Sequence, residues 1–169
     1  MQRLIEYMRE TMRDAPGVGL AAPQIGVSLQ IAVIEDVASY IEKMPPGQAE
    51  ERGRIPVPFH VVINPKITLR EGAPVEFFEG CLSLAGFSAV VPRALAVHVD
   101  ALDEKAEPVS IDASGWYARI LQHEIDHLNG IVYVDRMRSR TLMSVDNHAR
   151  HWKDLSTVEI IERLNAGGD

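Results

Sequence analysis

Apolar residues Leu4, Ile5, Met8 and Met12 recur at helical spacing among charged neighbours, which predicts an amphipathic helix over residues 2–13. Pro16-Gly17 ends it. The stretch Gly17-Val18-Gly19-Leu20-Ala21-Ala22-Pro23-Gln24 is too rich in small residues to pack as a helix or strand, and reads as a loop that another group approaches closely. β-Branched and apolar positions predict a strand from Leu29 to Glu35. Residues 36–56, with Pro45-Pro46-Gly47 and the charged run Glu50-Glu51-Arg52-Gly53-Arg54, read as an exposed insertion. Strand-like runs follow at 57–63, 74–82, 87–92, 95–102 and 107–112, with turn residues at the short spacing of antiparallel sheets.

The period then returns to that of a helix over 115–129, stopped by Gly130. Trp116, Ile120, His123 and His127 project to one side, while Leu121, Ile125 and Leu128 project to the other. Apolar residues on both sides predict a helix buried inside the domain. Ser156-Thr157-Val158-Glu159 matches a capping box and predicts a short helix ending before Gly167-Gly168. Strands followed by a buried helix give an α+β expectation: a single domain over 1–169 in which antiparallel strands wrap a central metal-binding helix.

Composition narrows the function classes. The 169 residues suffice for one real core, and 46% hydrophobic with 24% charged residues is ordinary for a water-soluble domain. No apolar run is long enough for a membrane span, and the first residues lack the zones of a signal peptide. The chain is therefore expected in the cytoplasm, with an organelle reached through a presequence missing here as the alternative. A net charge of −7 argues against autonomous nucleic-acid binding. Arg136, Arg138 and Arg140, with Arg150 and Lys153, form the one local basic stretch and read as solvated surface.

The chemistry concentrates in Gln122-His123-Glu124-Ile125-Asp126-His127. On a helix, His123 and His127 lie one turn apart on one face and can reach a single ion. Glu124 sits about 100° around, near enough to move protons without being a ligand. Asp126 points off the metal face, in a supporting role. The one cysteine, Cys81, excludes an internal disulfide and fits a reducing compartment. By itself it reads as a small buried apolar residue, a nucleophile or a ligand. One thiolate with two imidazoles makes an S-N-N set that leaves a coordination position open, as catalytic rather than structural sites do. Glu79 reads as structural, and Arg93 as a surface arginine.

Together, Gly17-Val18-Gly19-Leu20-Ala21-Ala22-Pro23-Gln24, Glu79-Gly80-Cys81-Leu82-Ser83 and Gln122-His123-Glu124-Ile125-Asp126-His127 resemble the three signature motifs of peptide deformylase, in that family's order. The resemblance spans nearly the whole chain. The insertion and the segment Ala113–Ile120 look closest to the organelle-type (type 1A) branch. It implies removal of the formyl group from N-formylmethionine of nascent polypeptides, with release of formate. It also implies that Cys81, His123 and His127 hold the metal and that Glu124 is general base and then acid. Gln24 and the backbone N–H of Leu82 would stabilise the oxyanion. Fe(II) is the implied ion in cells, and Zn, Ni or Co could substitute. Val18 and Gly19 are expected to pair with the extended peptide, and Trp116 and Ile120 to line a slot for the methionine side chain. The expected partners are N-formylmethionyl peptides, with transient ribosome contact and neither a membrane nor a specific nucleic acid. Family members usually carry a further segment before the first helix, whereas this chain starts inside that helix.

Two other classes compete. A zinc endopeptidase would use the same helix with a downstream third ligand, for which His148 and His151 are the histidines on offer. A non-catalytic, metal-stabilised ribosome-associated module would keep the ion without needing Glu124.

Overall fold

The computed structural model describes residues 1–166. Its elements run α1 (Gln2–Asp14), β1 (Gly19–Ala21), β2 (Ile31–Asp36), α2 (Ala38–Ile41), α3 (Gln48–Glu51), β3 (Val57–Leu69), β4 (Val75–Gly80), β5 (Phe87–Arg93), β6 (Ala96–Leu102), β7 (Pro108–Ser114), α4 (Gly115–Leu128), β8 (Met143–Ser144), α5 (Val145–His151) and α6 (Thr157–Ala166). They divide into two compact units, one of residues 1–73 and 94–131, the other of 74–93 and 132 onward. The α+β expectation holds: both sheets are antiparallel.

In the first unit the strands order β1-β2-β3-β6-β7. The sheet is covered on both faces, which explains why β2 is a continuous apolar run and not an alternating one. Ala32 and Ile34 join Val62, Val97, Val99 and the α4 residues Ala118, Leu121 and Ile125 in one cluster. Ile31 and Val33 join Val61 and the α1 residues Ile5, Met8 and Met12 in the other. The period-2 alternation of a strand thus serves two helices at once.

The segment 17–24 departs from its expected loop. Gly19–Ala21 is a fully buried strand, paired antiparallel to β2 through Gly19↔Ile34 and Ala21↔Ala32, and a short 3₁₀ turn over Ala22–Ile25 follows. The small residues are what allow it: β1 is the edge strand tucked beneath α4, where bulkier side chains would not fit.

The insertion is exposed over much of its length, yet it is pinned at both ends. Arg54 donates two hydrogen bonds to the buried Asp36, at 2.8 and 2.9 Å. Gly53 and Gly115 both adopt left-handed backbone, with φ of 55° and 62°. A Cβ on Gly115 would lie 2.6 Å from the Gly53 carbonyl oxygen, so the two chains meet where only glycine fits. The Trp116 N–H, in the first turn of α4, points at that same oxygen at 3.4 Å. It is one of the helix-end donors that has no partner inside the helix.

His60 on β3 bridges to α4. Its Nδ1 donates to the Pro58 carbonyl at 2.9 Å, and its Nε2 accepts from the Tyr117 hydroxyl at 2.8 Å. Burial lowers the His60 pKa below its ordinary 6.5 and pushes the Tyr117 hydroxyl up to about 12, so the tyrosine stays protonated. The folded chain therefore favours neutral His60, whereas the unfolded chain protonates it near pH 6.5. Its contribution to stability is full above that pH and is lost as pH falls through it toward the lower folded value. The slope of unfolding free energy against pH just below about 6.5 is expected to be shallower in His60→Gln than in the parent, as read by urea titration.

In the second unit, β4-β5-β8 form a small sheet. Phe78 and Val90 pack with Ile160 of α6 and with Trp152 on one side; Ala89 and Val91 pack with Tyr133 on the other. The Ser156 hydroxyl accepts from the Glu159 N–H at 3.3 Å and the Glu159 carboxylate accepts from the Ser156 N–H at 2.8 Å, the expected capping box. Helix α5 and strand β8 had no clear signal in the sequence. Gly167-Gly168, the expected stop after α6, lie outside the described residues.

Candidate metal centre

Helix α4 is buried from Ala118 to Leu128 except at His123, which is partly exposed. Two devices hold it in place within its unit. The Gln122 side chain meets the backbone of Ala94 as a strand would: its oxygen accepts from the Ala94 N–H at 3.0 Å, and its nitrogen donates to the Ala94 carbonyl at 2.9 Å. At the other end, Gln30 donates to the Leu128 carbonyl at 2.8 Å, satisfying one of the carbonyls that every helix end exposes. The sequence assigns neither glutamine a role of its own. For Gln122, an uncharged polar residue set among buried apolar neighbours was the available signal.

The helical repeat brings His123 and His127 together edge to face, with ring centroids 4.8 Å apart and Nε2 atoms 3.2 Å apart. Two imidazole nitrogens on one tetrahedral ion, each about 2.0–2.1 Å from it, would be separated by about 3.3 Å. The pair as folded therefore fits a shared metal. Glu124 is 4% exposed and lies against β1: a Cβ built on Gly19 would fall 2.3 Å from its Oε1. Gln24 accepts a hydrogen bond from the Ala21 N–H through its side-chain oxygen, at 2.8 Å. That bond fixes the amide orientation and assigns the side chain's donor role to its nitrogen.

The residues of this unit expected to meet the substrate have unequal surroundings. Ile120 is buried in the core cluster, with Val18 and Trp116 packed against it from partly exposed positions. Trp116 is more constrained than a simple slot wall: the guanidinium carbons of Arg52, Arg54 and Arg119 lie over its ring at 5.1, 5.5 and 5.7 Å.

In the second unit, Cys81 follows β4 and caps a short 3₁₀ turn over Leu82–Leu84, whose first residue, Leu82, is exposed. The Ser83 N–H points at the Cys81 sulfur at 3.4 Å and the Leu84 N–H donates to the Cys81 carbonyl at 3.0 Å. Two residues before it stands Glu79, ion-paired to Arg93 through two hydrogen bonds of 3.0 Å. This corrects the reading of Arg93 as a surface residue: it is 4% exposed, because β4 and β5 place it beside a buried carboxylate that needs a cation. Tyr133, also missed in the sequence, is buried against Cys81, and burial, reinforced by the thiol and by Glu79, raises its hydroxyl pKa. Downstream, His148 meets Phe78 edge to face at 4.7 Å, which engages one of the two histidines on offer as an endopeptidase's third ligand.

The first unit carries the His123 and His127 imidazoles and the second carries the Cys81 thiol, donor types that can hold a metal ion. Soft thiolate with imidazole is a donor set for first-row transition metals and not for Mg or Ca. Residues 1–142 match the family described as polypeptide deformylase. A chloroplastic peptide deformylase 1A of Solanum lycopersicum is 51% identical over 147 residues, covering 87% of this chain and 53% of that protein. Peptide deformylase 3 of Streptomyces avermitilis is 48% identical over 152 residues, covering 90% and 66%. The crystal structure of a Synechococcus elongatus peptide deformylase in complex with actinonin superposes with a TM-score of 0.69 at 40% identity, covering 82% of this chain and 68% of that one. The chain spans between about half and two thirds of the length of those two curated relatives. On the matched residues, their extent and the shared fold, this chain belongs to the polypeptide deformylase family.

Proposed function

We propose that this protein is a peptide deformylase that removes the formyl group from N-formylmethionyl peptides, acting as one domain to which both units contribute. The observation that carries the reading is the pair of imidazoles set at ligand spacing beside a buried carboxylate, in a chain of this family. Cys81, His123 and His127 hold the ion. Fe(II) is the ion in cells, and Zn, Ni or Co can substitute, since the donor set admits each of them.

When bound, the metal supplies a Lewis acid and makes water at the site acidic enough to react near neutral pH. Glu124 takes the proton from that water as the formyl carbon is attacked. Charge then develops on the formyl oxygen, to which the Gln24 amide nitrogen and the Leu82 N–H donate. One such donor is worth on the order of 10²–10³ in turnover. As the C–N bond breaks, Glu124 returns the proton to the departing nitrogen, leaving formate and a free amine. Gly19 in the edge strand β1 and Val18 just before it are the main-chain partners for an extended peptide, and Trp116 with Ile120 lines the methionine slot. A ligand thiol must stay reduced, which suits the cytoplasm or an organelle matrix. Among the described residues no helix is long and apolar enough to cross a membrane. Transient ribosome docking would use Arg136, Arg138 and Arg140, although Arg138 also binds Glu76 at 2.6 Å.

The test is formate release from an N-formyl-methionyl peptide by anaerobically Fe(II)-loaded protein, with the acetyl-methionyl peptide as control. Formyl-selective release is expected; none from folded, loaded protein overturns the reading. Cys81→Ala is expected to retain well under one equivalent of metal after gel filtration. Full retention would return the third ligand to a downstream histidine and favour an endopeptidase.

A further inference from the structure

Gly19 sits within β1, where alternation turns it and Ala21 toward α4 and turns Leu20 toward α1. Its φ is not among the positive ones, so the backbone there does not require glycine. Inside a strand, glycine is disfavoured by roughly 0.5–1 kcal/mol relative to alanine. What forbids a side chain is space. A Cβ at this position would meet Oε1, Cδ and Cγ of Glu124 at 2.3, 2.5 and 2.7 Å. All three distances are below any ordinary contact between such atoms. The Glu124 side chain therefore lies flat along the Gly19 backbone from its γ-carbon to its carboxylate.

That arrangement has a consequence for catalysis. A glutamate has three side-chain torsions, and each staggered well is open to it unless packing removes the others. Glu124 is 4% exposed, so the surface it rests on decides where its carboxylate stands. We infer that Gly19 is a positioning residue for Glu124: its missing side chain is the floor that sets the proton carrier at its working place, independently of any contact Gly19 makes with peptide. The inference rests on the proposed role of Glu124. A methyl group at residue 19 displaces the carboxylate by an ångström or more while leaving the backbone groups of β1 in place. A misplacement of about 1 Å can cost on the order of 10² in rate.

The experiment is a double-substitution cycle on the metal-loaded protein with Gly19→Ala, Glu124→Ala and the pair. Activity, metal content and melting temperature are read for each. Gly19→Ala is expected to keep one equivalent of metal, to lower kcat by on the order of 10² and to leave KM within about threefold. In the Glu124→Ala background the same substitution is expected to cost neither residual rate nor melting temperature, because the space it enters has been vacated. If Gly19→Ala fails to fold alone but folds in the Glu124→Ala background, the clash is still with Glu124 and the inference stands. Gly19→Ala turning over within threefold of the parent overturns it, as does an equal loss of stability in both backgrounds. Full activity of Glu124→Ala alone would instead sink the proposed role of Glu124, which separates the two failures.

Discussion

Glu124→Ala is expected to bind one equivalent of metal and to lose turnover by on the order of 10²–10⁴, the range for removal of a positioned general base or acid. In barrier height that is roughly 3–5 kcal/mol. The expectation follows from separating the ligands from the proton carrier. The Nε2 atoms of His123 and His127 meet at 3.2 Å without help from Glu124, whose carboxylate is directed instead against β1. Metal analysis beside formate release checks both halves. A variant that sheds its ion would make Glu124 a ligand, and one that keeps full turnover would remove it from the reaction. A binding module stabilised by metal would show no change in either the ion or its partner affinity.

Breaking the buried pair of Glu79 and Arg93 should produce the largest effect on stability. Both side chains are almost wholly out of water, at 4% and 3% exposure, and share two hydrogen bonds of 3.0 Å. Truncating one partner of such a pair typically costs about 3–5 kcal/mol, because the remaining charge stays buried without its counter-ion. At about 2–4 °C per kcal/mol for a chain of this size, Glu79→Ala or Arg93→Ala should melt about 10 °C lower. Arg93→Lys should recover only part of the loss, since an ammonium cannot reproduce the two-pronged guanidinium contact. Replacing both members with apolar residues of similar volume should recover more than either single change. Thermal unfolding of the four variants checks the order. Single truncations that cost under about 1 kcal/mol, the worth of a surface pair, would show the site to be wetter than its burial indicates.

The sequence was most legible where one residue type can do one thing. The spacing of His123 and His127, the Ser156–Glu159 capping box and the apolar stripe of α1 were each readable from local pattern alone, and each is present. It was least legible where the partner lies far along the chain. Arg93 looked like surface because nothing nearby in sequence shows that Glu79, fourteen residues earlier, meets it across two strands. Residues 17–24 looked like a loop because small residues weaken any strand prediction. The burial that makes them a strand comes from α4, nearly a hundred residues later. Gln122 carries no signal of its own beside the ligand His123, although its side chain joins the helix to residue 94. In each case the missing information was a long-range contact, which residue type does not encode.

The meeting of Gly53 with Gly115 bears on how this protein can be re-engineered. The C-terminal end of the insertion and the first residue of α4 touch backbone to backbone, with left-handed torsions on both sides. The 36–56 segment is therefore not an interchangeable cassette. A transplant that brings a side chain to position 53 must force an L-residue into a strained torsion there, and a non-glycine host residue at 115 collides with the graft's carbonyl. Loop and helix have to be exchanged together, as one keyed part.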